Sequence, residues 1–156
     1  MSKDYSYSDF FGQLVSVNDG SLLGHLLDNG YLILRKDGKT LYCHRLIYEL
    51  HHGPIPEGME IDHINGQRDC NYIWNLRLAT PSQNQCNTCI RSDNKSGVKG
   101  VFWSESRGSW IASVTYKGKL HRRLFPNVNI AIDWVEQKRR ELHKEFSNHG
   151  FHYAQK

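Results

Sequence analysis

The stretch Met59 to Asn87, MEIDHINGQRDCNYIWNLRLATPSQNQCN, decides how this chain is read. It gathers a carboxylate, an imidazole and several carboxamides into a segment with the pattern strand, loop, strand, helix start. Met59-Glu60-Ile61-Asp62-His63 is a short strand that delivers Asp62 and His63. Asn65-Gly66 turns the chain, because both residues tolerate the positive φ a tight turn needs. After a polar loop to Trp74, Asn75-Leu76-Arg77-Leu78-Ala79 returns as a second strand. Thr80-Pro81-Ser82-Gln83 then starts a helix, with Thr80 as N-cap, Pro81 at the first helical position and Gln83 placed to answer the cap. Asn84 and Asn87 lie one turn apart on that helix.

These residue types suit one chemistry. Phosphodiester cleavage needs an activated water, neutralised charge on the phosphorane and a stabilised leaving oxygen. A single hard divalent cation such as Mg2+ or Mn2+ can do the last two while keeping several waters. The carboxylate of Asp62 and the side-chain oxygen of Asn84 are sufficient protein ligands. His63 is left as general base, its ordinary pKa of about 6.5 suiting proton uptake near neutrality. Neighbouring strand residues point to opposite faces, so Asp62 and His63 serve one centre only if the chain bends there, and the Asn65-Gly66 turn allows that.

Working outward, the preceding residues look like scaffold. Gln13 to Val17 and Leu22 to Leu27 are strand pieces ended by Asn18-Asp19-Gly20 and Asp28-Asn29-Gly30. Tyr31 to Arg35 and Thr40 to Cys43 flank Lys36-Asp37-Gly38-Lys39 as a hairpin. His44 to His52 carries Leu46, Ile47 and Leu50 at helical spacing and stops at Gly53-Pro54. His44 is read as a cap or packing residue, with contact to the site or the DNA as the alternative.

The chain is 156 residues long with 38% hydrophobic content, which fits two modest units better than one large core. Its formal charge of +4 is unevenly spread. Residues up to Ile90 hold 7 Lys and Arg against 10 Asp and Glu, whereas those from Arg91 onward hold 13 against 6. The acidic half suits a cation site and the basic half a polyanion. No apolar run approaches the roughly 18 residues that span a bilayer, and the N-terminus lacks a signal-peptide core, so no membrane partner and a cytoplasmic location are expected. In a reducing compartment Cys43, Cys70, Cys86 and Cys89 are free thiols or, as the alternative, a structural Zn2+ site.

Beyond Arg91 to Gly97, a polar stretch taken as linker, the pattern becomes three strands and a helix. The strands are Val98 to Trp103, Ser109 to Tyr116 and Leu120 to Phe125, with Lys117-Gly118 as a turn. The helix, from about Ile130 to Phe146, turns Ala131, Trp134, Val135, Leu142 and Phe146 to the sheet and Lys138, Arg139, Arg140 and Lys144 outward. Trp103, Trp110 and Trp134 supply much of this small core. The tail after Asn148 adds nothing to it.

Ile61 to Gly66, Asn75-Leu76-Arg77 and Thr80 to Asn84, with Tyr42 to Ile47 and the Gly30-Tyr31 strand upstream, resemble the HNH (ββα-metal) nucleases in the form carried by phage homing endonucleases. The resemblance covers roughly residues 13 to 90. It implies His63 as base, Asp62 and Asn84 as metal ligands, and Asn75 as the asparagine that ties the loop and orients His63 through backbone hydrogen bonds. Cys70 stands where an Asn commonly follows Asp69, outside the metal shell. Residues 93 to 146, through Asn94 to Trp103 and Trp110-Ile111-Ala112, are similar to the AP2 DNA-binding domain. That similarity implies an exposed sheet face that enters the major groove, with Phe102, Ser104, Ser113, Thr115 and His121 as reading positions and Lys99, Arg107, Lys117, Lys119 and Arg123 as phosphate or base contacts. Plant members carry arginines at several of these face positions.

The expected fold is therefore α+β: a ββα-metal (HNH) nuclease module followed by a three-stranded antiparallel sheet plus helix (AP2-like) module. The expected division is a nuclease domain with its N-terminal β-rich extension over 1–90, a linker over 91–97, the AP2-like domain over 98–148 and a tail over 149–156. The expected function is site-directed cleavage of double-stranded DNA by a phage-encoded monomer or weak homodimer, leaving 5′-phosphate and 3′-hydroxyl ends. A non-catalytic DNA-binding regulator and a nuclease acting on RNA or junctions are the alternatives.

Overall fold

The computed structural model describes residues 4–87, 90, 94 and 96–148. By internal contacts the chain divides into two compact units, 1–81 and 82–156. The division falls between Pro81 and Ser82, nine residues ahead of the 1–90 limit read from the sequence. Of the expected linker, residues 91–93 and 95 lie outside the described residues, as does the tail from 149.

In the first unit, β1 (Tyr5–Ser8), β2 (Gln13–Ser16) and β3 (Leu22–Leu23) form one antiparallel sheet. A second contains β4 (His25–Leu26), β5 (Leu32–Lys36) and β6 (Lys39–Tyr42). The β5–β6 hairpin closes through Asp37 (φ 50°) and Gly38 (φ 71°), the left-handed pair that matches strand twist. Gly12 is held by a different constraint: at φ 61° a Cβ there would meet the Tyr72 ring at 2.7 Å, so the β1–β2 loop seats on Tyr72 only with glycine.

The helix α1 (Cys43–His52) follows β6 directly and ends at Gly53, whose N–H donates to Glu49 O. Its inward face, Cys43 and Ile47, packs with Leu14, Ile61 and Leu76 into the core of this unit. Completely burying Ile47 contributes roughly 2 kcal/mol of apolar transfer. Against that core lies the two-stranded ribbon of β7 (Glu60–His63) and β8 (Leu76–Ala79), paired antiparallel in the register Asp62 opposite Arg77 and His63 opposite Leu76. Asn75 sits in a 3₁₀ turn just before β8.

The helix α2 (Pro81–Cys86) is shorter than the asparagine spacing implied, and Asn87 lies just past its end. In the second unit, β9 (Val101–Ser104), β10 (Ser109–Tyr116) and β11 (Lys119–Phe125) form an antiparallel sheet in the order β11-β10-β9. Helix α3 (Val128–His143) is capped by Asn127, whose side chain accepts from Asn129 N. It buries Ala131 and Val135 against Val101, Ala112, Val114 and Phe125, with Trp110, Trp134 and Leu142 alongside. The Trp103 and Trp110 rings meet edge-on at 5.5 Å.

One expectation about this helix is overturned. Arg139 does not face outward; it is 3% exposed. The run Lys138-Arg139-Arg140 reads as one solvated face, but Arg139 follows Val135 by one turn and so falls on the buried side.

Candidate functional site

Strand β7 carries Asp62 and His63 into the interior, each 4% exposed. Asp62 is gripped by its cross-strand neighbour: Arg77 Nε and Nη2 both donate to Asp62 Oδ2 at 2.8 Å. The antiparallel register is the cause, since directly opposed residues project on the same face. A guanidinium on one oxygen fixes the orientation of the carboxylate.

His63 ends β7, and the chain turns immediately, with Gly66 N donating to His63 O at 2.8 Å. Its Nε2 lies 2.9 Å from Asn71 Oδ1. With that oxygen as acceptor, His63 Nε2–H is the donor and the ring's lone pair lies on Nδ1. Burial lowers the His63 pKa, opposed by the Asn71 hydrogen bond and the Asp62 charge. The imidazole is consequently neutral near pH 7, the state a general base requires.

Asn75 organises the loop between the strands. Its Oδ1 accepts from Asn65 N at 3.0 Å, and its Nδ2 donates to Asn65 Oδ1 at 2.9 Å and to Cys70 O at 2.7 Å. Ile64 N, next to His63, donates to Asn75 O at 2.8 Å. At 1% exposure this amide uses all its hydrogen-bonding groups on the loop that follows His63.

Two neighbours, Asn71 and Arg77, went unassigned in the sequence, and His44 reads there as a cap or packing residue or as one touching the site or the DNA. Asn71 holds the His63 ring, but it sits in a polar loop whose register no periodicity reveals. Arg77 was legible as the strand mate of Asp62 once both strands were paired from their turn. His44, on the first turn of α1, packs its ring against His63 with centroids 5.1 Å apart and against Tyr31 at 5.2 Å. Its Nδ1 is buried without a hydrogen-bond partner. Burial first, then the His63 and Arg45 charges, push its pKa down to about 3. Tyr31 in turn carries the Arg68 guanidinium 5.0 Å above its ring.

Asp62, His63 and Asn75 thus come together in the first unit, whereas Asn84, on α2, belongs to the second. A divalent ion that keeps most of its waters needs only one or two protein oxygens, and the oriented Asp62 carboxylate is chemically of that kind. The donor chemistry therefore fits a hard cation. The thiols fit zinc less well: Cys43 is packed in the first core and burial raises its pKa to about 11, in the protonated form that does not ligate. Cys70 and Cys86 are free, and Cys89 lies outside the described residues. Among the described residues no group of three or more His, Cys, Asp or Glu is placed to hold a metal.

The sheet of the second unit has one face on α3 and one open. Cross-strand partners share a face, so Ser104 with Ser109, Phe102 with Ile111 and Leu124, Ser113 with Arg122, and Thr115 with Leu120 form the open side. Phe102, Ser104, Ser113 and Thr115 are where the sequence reading put them. His121 is not: it pairs with Val114, on the side that α3 covers; Arg123, read as a phosphate or base contact, pairs with Ala112 on that same side and lies over the Phe125 ring at 5.5 Å. Alternation along β11 puts Arg122 on the open side instead, and the sequence reading missed it. By the same register Lys119, opposite Tyr116, shares the α3 side at the strand's end, while Arg107 and Lys117 are exposed in turns. Lys99 is half-buried, its Nζ donating to Cys86 O at 3.0 Å.

Comparison with known proteins agrees with the ribbon geometry. Residues 41–86 match the model of the HNH endonuclease family. Protein 3.8 of Escherichia phage T7 is 38% identical over 118 residues, which cover 73% of this chain and 98% of that protein. By the family match, residues 41–86 carry an HNH endonuclease domain. The HNH family match spans α1, both strands of the ribbon and α2, and so contains Asp62, His63, Asn75 and Asn84. HNH nucleases generally use a divalent metal. The uncharacterized HNH endonuclease L560 of Acanthamoeba polyphaga mimivirus is 35% identical over 79% of this chain and 64% of its own length. Among solved structures, that of the HNH homing endonuclease I-HmuI superposes with a TM-score of 0.45 at 23% identity, over 86% of this chain and 78% of that one. No helix among the described residues is long and apolar enough to cross a membrane.

Proposed function

We propose that the chain is a DNA endonuclease of the homing type, in which the 60–79 ribbon cleaves and the second unit, AP2-like, binds double-stranded DNA. The observation that carries the catalytic half is the buried His63 ring, neutral and held by Asn71 in the tautomer with its lone pair on Nδ1. In that state His63 takes the proton of the attacking water at Nδ1. Asn71 keeps Nε2 occupied, so the ring neither flips nor presents its other nitrogen. Asn75 holds the 64–75 loop, and through Ile64 the end of β7, in the conformation that points His63. Asp62 would be a ligand of a divalent ion, Mg2+ or Mn2+, with Asn84 as the second ligand that the resemblance implies, and the ion when bound would neutralise charge on the phosphorane and on the departing 3′ oxygen. Cleavage leaves a 5′-phosphate. Arg77 keeps Asp62 aimed.

The DNA-binding half rests on charge and register. The residues from Arg91 onward are strongly basic, and the open sheet face offers Ser104, Ser113, Thr115 and Arg122 beside Phe102, with Arg107 and Lys117 in exposed turns. Phosphate contacts from the turns would position the protein, and the sheet face would contribute to specificity.

The test is cleavage of a plasmid library bearing randomised targets, and of RNA, with Mg2+ and with EDTA, by wild type and by His63→Ala. Metal-dependent cutting of DNA that disappears in His63→Ala is the expected result. Undiminished cutting by His63→Ala would remove His63 as the base, and cutting of RNA alone would replace the substrate.

A further inference from the structure

Arg139 poses a physical problem that neither catalysis nor the open sheet face resolves. It is 3% exposed, on α3 one turn beyond the buried Val135. Its Nη2 donates to Lys99 O, its Nη1 is buried with no hydrogen-bond partner, and it forms no ion pair among the described residues. A guanidinium taken out of water without a counter-charge is strongly unfavourable, and proteins tolerate one where an anion arrives to meet it.

The surroundings favour such an anion. Arg139 lines a cavity of about 430 Å3 within the second unit, together with Lys99, Lys117, Gly100, Ser113 and His143. That size lies within the roughly 300–1,000 Å3 usual for ligand pockets. Among the described residues the charged side chains of the lining, Lys99, Lys117 and Arg139, are all cationic. Gly100 keeps the space open: a Cβ there would stand 2.4 Å from Ser113 O and 3.0 Å from Arg139 Nη2. His143 donates from Nε2 to Thr115 O at 3.1 Å, leaving its Nδ1 buried and unpartnered beside the same space. Burial lowers the His143 pKa, the Thr115 hydrogen bond opposes it, and the charges of Arg139 and Lys99 add to the lowering.

We propose that this cavity binds a phosphate group, with Arg139 as the buried counter-charge and Lys99 and Lys117 completing the cationic lining. A planar guanidinium suits the paired oxygens of phosphate, and the ammonium groups add charge without fixing geometry. The phosphate could be free or part of a nucleic-acid backbone; the chemistry of recognition is shared. The inference stands on the unpaired buried charge and does not depend on the nuclease reading.

Two measurements on the full chain test it. Thermal melting in sodium phosphate is compared with sodium chloride at equal ionic strength, for wild type, Arg139→Met and Lys117→Glu, the last an exposed-turn variant that keeps the test alive if Arg139→Met does not fold. Anisotropy of a labelled duplex oligonucleotide is measured for the same proteins. A saturable rise of the wild-type melting temperature in phosphate, absent from the variants, is expected for a site that takes free phosphate. Duplex affinity weakened about tenfold in the variants, with inorganic phosphate competing for wild type, is expected for a backbone phosphate, since one charge-assisted contact is lost. A phosphate shift of equal size in wild type and variants overturns the proposal. So does the absence of any shift in wild type together with unchanged duplex affinity in the variants.

Discussion

Acid should unfold the first unit earlier than its carboxylates require, and His44 should be a principal cause. In the folded chain burial holds its pKa down to about 3, whereas in the unfolded chain it titrates near 6.5. A histidine whose pKa falls on folding binds its proton more readily when unfolded. Stability is therefore intact above about pH 6.5, declines as pH falls through that value, and stops declining only near the folded pKa. Between pH 7 and pH 5 the linkage amounts to about 2 kcal/mol. The groups facing the ring are His63 on β7, Tyr31, Tyr42 and Arg45; none is a carboxylate, and both the His63 and Arg45 charges disfavour protonation. His63 adds to the effect in the same direction, its pKa also being lowered. His44→Phe isolates the first term, because a ring of similar size fills the space and the lost Nδ1 made no hydrogen bond. The assay is urea unfolding at pH 7 and pH 5, read by amide exchange in α1 so that only the first unit is followed. Wild type should lose about 2 kcal/mol more than His44→Phe over that interval. Equal losses would refute the claim that His44 is buried uncharged.

Four other outcomes follow from the site. Asn75→Ala should cost about 3 kcal/mol, since it removes three hydrogen bonds and strands Asn65 N and Cys70 O; urea unfolding measures it, and cleavage should fall with it. Asn71→Ala should lower cleavage about tenfold or more while costing less stability than Asn75→Ala, because its Nδ2 already lacks a partner; a shift of the His63 tautomer in 15N spectra would accompany it. Arg77→Met should cost about 3 kcal/mol by leaving the Asp62 carboxylate buried without its guanidinium, and the loss should shrink in the Asp62→Asn background. Gly12→Ala should destabilise by 2 kcal/mol or more, about 1 of it from left-handed backbone and the rest from the Tyr72 ring; Tyr72→Ala in the same chain should recover the steric part.

Where local chemistry dictates structure, the sequence was legible. The Asp37-Gly38 and Lys117-Gly118 turns pinned two hairpins, since each needs left-handed φ. β10 occupies the range its alternation implied. The Asp-His strand, the returning strand and the proline-led helix start were equally plain, because strand, turn and helix-start signals each span only a few residues. Asn75 was assigned from resemblance, and its hydrogen bonds to Asn65 and Cys70 have the loop-tying form that resemblance implied. Positions on β11 failed because one residue of register decides a face. His121 was assigned to the open side, and only pairing with β10 shows that Arg122 occupies it.

The sequence by itself determined the elements, the two-part charge distribution and the cluster of catalytic residue types between Asp62 and Asn84, all properties of neighbours in the chain. Tertiary structure alone decided the states of those residues. Asp62 has its guanidinium because β8 lies in one register against β7. His63 is neutral because α1 brings His44 and the core over it. Arg139, indistinguishable in the sequence from the solvated cations beside it, is a buried unpaired charge because the helix packs that side against the sheet. Burial and pairing depend on which distant segments meet, and the free energy of a charge depends on both.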